Sequence, residues 1–199
     1  MKSLAKYTLI TLILITATIR CLAQEDYLEK GNTFLDKGQL SKAEGVFRDG
    51  IKAEPANLIY QCQLGLTLIQ QKKYKAAEIV LQQVLKADSN NVAARWYSGI
   101  GYFENAQDRK SVNEFLKALP LIDKLSGQYY SANWYIGKCY ANLLKTEGLT
   151  YAETDQMFAS YQVYLRLQPD AEDAAEIKAY MEHKKSRRPP ANVKIWVDL

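Results

Sequence analysis

Gly31-Asn32-Thr33-Phe34, Gly65-Leu66-Thr67-Leu68 and Gly99-Ile100-Gly101-Tyr102 follow one another at intervals of 34 residues. The same step links Ala43, Ala77 and Ser111. It also links Phe47, Leu81 and Phe115, and Ile51, Leu85 and Leu119. Small and bulky columns kept in one register over three units mark a stacked array of helical repeats. Such an array presents an extended surface suited to holding another chain.

Each unit reads as two helices. In the first, a helix from about Glu25 to Asp36 is followed by a turn at Lys37-Gly38-Gln39. A second helix then carries Leu40, Ala43, Phe47 and Ile51 on one face. Steps of three and four residues are amphipathic-helix spacing, and Pro55 stands where a helix can stop. Gly31 with Ala43, Gly65 with Ala77, and Gly99 with Ser111 fall where paired helices cross. Small side chains there allow a close approach of the axes, and Phe47, Leu81 and Phe115 fill the space beside each crossing.

These columns resemble the tetratricopeptide repeat. Gly31, Phe34, Ala43, Phe47 and Pro55 occupy its small, aromatic, small, aromatic and proline places. Gly65, Leu68, Ala77 and Leu81 repeat the series with Ser89 replacing proline, and Gly99, Tyr102, Ser111 and Phe115 repeat it with Asp123 there. The resemblance implies an all-α fold, a right-handed superhelical α-solenoid of antiparallel helix pairs. Repeats are expected at about 24–57, 58–91 and 92–125, with an irregular unit at 126–171 and a capping helix at 170–184.

In the fourth unit Trp134, Gly137 and Tyr140 follow Trp96, Gly99 and Tyr102 by 38 residues, so four extra residues enter near Pro120–Gly127. Pro120 should kink or end its helix. Thr150 and Glu153 form a candidate capping box. Tyr161, Leu165 and Pro169 then recover the register, displaced by eight more residues assigned to the segment around Lys145–Thr150, with Met157 in the small-residue column.

Residues 1–23 have the order of a secretory signal peptide. Lys2 and Lys6 precede the apolar run Thr8 to Ile19, and Cys21-Leu22-Ala23 sets small residues around a cut before Gln24. The run is too short for the ~20 apolar residues of a bilayer span. Arg20 disfavours lipid attachment at Cys21, and retention of the leader as an anchor is the alternative to cleavage. The leader holds three cations and no acid, so the formal charge falls from +4 to +1 on its removal. The near-neutral remainder carries no general attraction for nucleic acid. The expected location is the periplasm or cell envelope, possible secretion included. Cys62 and Cys139 lie two repeats apart and are expected as buried thiols rather than a disulfide.

No phosphate loop, nucleophile elbow or metal-ligand spacing is present, and the one histidine, His183, has no chemical partner in the sequence. The expectation is a noncatalytic interaction module without cofactor or metal. By the resemblance, first-helix positions line an inner groove. Those are Ile59, Leu66 and Ile69 in repeat two, Trp96, Ile100 and Phe103 in repeat three, and Trp134 and Lys138 in the fourth unit. The tryptophans are read either as partner anchors or as packing between first helices. A protein or peptide is the expected partner. The alternatives are a self-associating module, with the groove or tail used between copies, and a glycan- or peptidoglycan-binding envelope protein.

The segment 185–199 is expected to be an extended or flexible tail. Val193, Ile195, Val197 and Leu199 alternate with Lys194, Trp196 and Asp198, a strand-like period. Ile195, Trp196 and Val197 are candidate contacts, either within this chain's groove or as a strand added to a partner. The basic group Lys184, Lys185, Arg187 and Arg188 is read as a solvated helix end.

Overall fold

A computed structural model of the protein describes residues 27–198. The expected leader therefore lies outside the described residues. The rest is all-α: nine helices and no β-strand among the described residues. They are α1 (27–36), α2 (Leu40–Ala53), α3 (Leu58–Gln70), α4 (Tyr74–Ala87), α5 (Val92–Glu104), α6 (Asp108–Ala118), α7 (Gly127–Thr146), α8 (Tyr151–Leu167) and α9 (Ala174–Arg187). The chain divides into two compact units, one ending at Val80 and one beginning at Leu81.

The hairpin turns recur with the repeat. Gly38, Lys72 and Ala106, again 34 apart, have φ of 65°, 60° and 53°. Each closes its helix by one pattern. Gln39 N–H donates to Phe34 O, Lys73 N–H to Leu68 O and Gln107 N–H to Tyr102 O, at 2.8 Å in every case. This is a left-handed cap that satisfies otherwise orphaned carbonyls. Asn57 and Asn91 cap the starts of α3 and α5 by accepting from Ile59 N–H and Ala94 N–H.

In the first unit, a methyl group at Gly31 would stand 2.3 Å from the Phe47 ring, and one at Gly50 would stand 3.1 Å from the Tyr60 ring. Phe47 and Tyr60 are fully buried. The small-residue columns thus admit aromatic rings against bare backbone.

In the second unit the same device joins α5 to α6 and α7 to α8. A methyl at Gly99 would meet the Phe115 ring at 2.8 Å, and one at Gly137 would meet the Tyr161 ring at 2.5 Å. Ser111 Oγ donates to Gly99 O at 2.8 Å, so a small polar residue at the crossing satisfies its own hydroxyl. α6 ends at Ala118, and a short 3₁₀ turn at Leu119–Leu121 carries Pro120. The core contains Val112, Phe115, Ile136, Leu144, Met157 and Ile177. Met157 is fully buried, so the large residue in the small column is accommodated within the core.

The eight extra residues of the fourth hairpin have a definite place. Past its glycine, α7 runs four residues further than α5 does; α8 begins three residues further ahead of its ring than α6; and the connecting loop is one residue longer. The hairpin is therefore extended without losing the glycine–ring crossing. Its loop is braced by the Thr150–Glu153 capping box and by Arg109, which pairs with Glu147 at 3.1 Å and with Glu153.

The tail is extended and pairs with this loop. Leu149 N–H donates to Trp196 O at 2.9 Å, Trp196 N–H to Leu149 O at 2.8 Å, and Asp198 N–H to Leu144 O at 3.0 Å. Ile195 and Val197 straddle Gly148, where a methyl group would meet their Cγ2 atoms at 2.5 and 2.7 Å. Helix α9 starts at Ala174 and continues to Arg187, later at both ends than the sequence reading placed it. The basic run is also not simply solvated. Lys184 forms a buried ion pair with Asp198, Arg187 approaches the same carboxylate at 3.4 Å, and Arg188 pairs with Asp155 at 2.8 Å. These contacts give the helix end intramolecular partners, so it extends beyond residue 184.

Candidate functional site

The sequence-derived groove residues fall into two groups. In the first unit, Ile59 is 50% exposed and Leu66 is half-buried, but Ile69 is only 2% exposed and lies in the core. The reason is that α3 is apolar over most of its circumference, with Tyr60, Cys62, Leu64, Leu68 and Ile69 all buried. A first-helix position therefore does not by itself make a residue accessible.

In the second unit, Trp96, Ile100, Phe103 and Trp134 are all half-buried and packed against the core. The three aromatic rings converge on Tyr135. Its ring stacks on Phe115 with centroids 4.8 Å apart and meets Phe103 and Trp134 edge-on at 5.1 and 5.0 Å. Trp96 meets Phe115 edge-on at 5.4 Å, and Phe103 meets Trp134 at 6.0 Å. Edge-to-face contacts of this kind add about 0.5–1.5 kcal/mol per pair beyond area burial. The tryptophans thus serve packing between first helices and still keep partly open faces. Lys138 lies with Nζ 5.4 Å from the Trp134 ring, a cation–π distance.

Trp134 is held by a residue that no sequence motif marks. Its indole N–H donates to Asp173 Oδ2 at 2.6 Å, and Tyr164 O–H donates to Oδ1 at 2.8 Å. Burial opposes the Asp173 charge, but these two hydrogen bonds and the Lys138 cation outweigh it and hold the carboxyl below its ordinary range. Burial, then the bond to Asp173, pushes the Tyr164 phenol up to about 12, so it remains a donor at neutral pH. Asp173 precedes Ala174, the first residue of α9; a helix start placed at Asp170 hid its position.

Two hollows share Trp134 and Tyr164 as walls. The larger, about 540 Å³, is completed by Glu172, Asp173 and Glu176. The smaller, about 280 Å³, is completed by Tyr130, Ser131 and Tyr135. Together they make a shallow, open aromatic cleft with an acidic rim. Among the described residues there is no cluster of His, Cys, Asp and Glu able to hold a metal ion. Burial raises the Cys139 thiol to about 12, far from the range of a reactive thiolate. Among the described residues no helix is long and apolar enough to cross a membrane.

The tetratricopeptide repeat family model matches residues 59–91. Tetratricopeptide repeat protein 37 of Xenopus laevis is 31% identical over 120 residues, which is 57% of this chain and 7% of that protein. The chain thus spans a small fraction of that curated relative. The solved structure of pilF from Pseudomonas aeruginosa superposes with a TM-score of 0.69 at 18% identity, covering 84% of this chain and 71% of that one. A tetratricopeptide repeat protein from Parabacteroides merdae superposes at 0.64 with 21% identity, covering 83% and 61%. Both structural likenesses establish the fold.

Proposed function

From the premise that this is a tetratricopeptide repeat protein, we propose that it is a noncatalytic scaffold of the cell envelope that holds a peptide or protein segment. The aromatic face formed by Trp96, Ile100, Phe103 and Trp134 is the surface that engages the partner. One observation carries this reading: four large apolar side chains are gathered on one unit, each only half-buried, beside a cleft of about 540 Å³. Rigid aromatic side chains that keep an open face are the usual anchors of a protein interface. The leader-like order of residues 1–23 supports an envelope location.

Two measurements test the proposal. A photoreactive phenylalanine analogue placed at Phe103 should capture a partner in intact cells. One placed at Leu125, which is 93% exposed, should not. Equal capture from both positions rejects the face. N-terminal sequencing of protein from an envelope fraction should begin at Gln24, and a cytosolic protein beginning at Met1 rejects the location.

A further inference from the structure

The acidic rim of the cleft is formed by Glu172, Asp173 and Glu176. Asp173 spends both carboxylate oxygens on neutral donors, the Trp134 indole and the Tyr164 phenol. Among the described residues no lysine or arginine forms an ion pair with Glu172, Asp173 or Glu176. Lys138 contributes at a distance and sits over the Trp134 ring. Three carboxylates therefore border one hollow, and the Lys138 charge acts on Asp173 from over the Trp134 ring. Other carboxylates of the chain do have ion-pair partners: the half-buried Glu44 has Lys73, and the buried Glu114 and Asp198 have Arg95 and Lys184.

The walls select among cations. Trp134 and Tyr164 line the hollow together with the carboxylates, and Tyr130 and Tyr135 line the smaller hollow beside it. A guanidinium suits this combination better than an ammonium, because it stacks on rings while its planar fork reaches carboxylate oxygens. The chain contains an internal precedent. The Arg188 guanidinium carbon lies 3.5 Å from the centre of the Tyr151 ring, and its Nη1 reaches Asp155 at 2.8 Å.

We infer that the cleft between α7, α8 and the start of α9 receives an arginine side chain from an extended segment of the partner, with the flanking apolar residues of that segment lying on the neighbouring aromatic face. This inference rests on the interaction reading above and adds the chemistry of the partner to it. Charge complementarity chooses the arginine, and the smaller aromatic hollow beside the acidic one accommodates an adjoining apolar side chain.

The test uses two synthetic peptides, Ac-Leu-Ala-Arg-Ala-Leu-NH2 and the same peptide with citrulline in place of arginine. Citrulline keeps the shape and removes the charge. The readout on the whole protein is the Trp134 indole N–H resonance, identified by its absence in Trp134→Phe. The arginine peptide should shift this resonance saturably and bind about tenfold more tightly than the citrulline peptide, the size of one charge-assisted contact. The double variant Glu172→Gln, Glu176→Gln alters two exposed side chains and leaves the Trp134–Asp173 bond in place. It should reduce the preference for arginine without moving the free resonance. Equal binding of the two peptides, no shift with either, or an arginine preference unchanged in the double variant each overturns the inference. Capture at Phe103 that persists undiminished in the double variant also overturns it, while leaving the interaction reading intact. Loss of position-dependent capture in the unaltered protein instead removes that reading.

Discussion

Tyr161 lies across Gly137 at a separation of 24 residues, making the contact that Phe47 and Phe115 make across Gly31 and Gly99 at a separation of 16. The crossing is thus kept while the hairpin beyond it lengthens. Space at that point, rather than loop length, fixes how the helices pair. Gly137→Ala and Gly99→Ala are expected to destabilise the protein by about 1–3 kcal/mol each, the cost of overpacking a filled core. Urea unfolding measures it. Gly45→Ala is the contrast: a methyl there meets nothing within 4 Å, and the helix gains about 1 kcal/mol from the better helix former. Equal effects at the three sites would contradict the packing argument.

Ala106 occupies the left-handed cap that Gly38 occupies in the first hairpin, with φ of 53° against 65°. A side chain at that φ costs roughly 1 kcal/mol, so Ala106→Gly should raise the unfolding midpoint. A lowered midpoint would show that the cap is not strained.

Gly148 combines a φ of 81° with the approach of the tail, whose Trp196 O would lie 3.0 Å from an added methyl. Gly148→Ala should therefore release 193–198 from the loop while leaving helical content intact. Amide hydrogen exchange at Leu149 and Trp196 is the measurement, and unchanged protection at both counts against the docking described here.

Tail docking should also depend on pH. The hydrogen bond from Lys184 holds the Asp198 carboxyl below its ordinary range, and Asp198 is only 6% exposed. A carboxyl lowered in the folded state adds stability above its unfolded value, and that stability disappears as the pH falls through the folded value. Docking should hold from pH 5 to 8 and weaken below about 4, near the unfolded aspartate value. The backbone resonances of Trp196 and Asp198 should report it. Asp198→Asn should loosen the tail throughout this range, and a tail equally protected in that variant would refute the role of the ion pair.

Much of the fold was legible because it rests on residue size at fixed spacing. Gly31, Phe47, Gly99 and Phe115 announce the crossings, and Thr150 with Glu153 announces the start of α8. Pro120 likewise marks the end of α6, which stops two residues before it. The site was less legible. Trp96, Phe103 and Trp134 stand out as aromatic residues, but Asp173 lies 39 residues from the indole it accepts, and no local pattern predicts that meeting. Ile69 shows the opposite difficulty. Its repeat position suggests exposure, yet the all-round apolar character of its helix buries it. The tail's alternation indicated extended backbone, and its partner, Leu149, lies in a loop that carries no strand signal.

The double acceptance by Asp173 has a practical consequence for cutting the protein into parts. A fragment trimmed to end after α8 would keep Trp134 and Tyr164 while discarding the acceptor both of them use. It would also strip Ile177 and Met181 from the core beneath them. The final hairpin and the helix that follows it therefore have to be made, and studied, as a single piece.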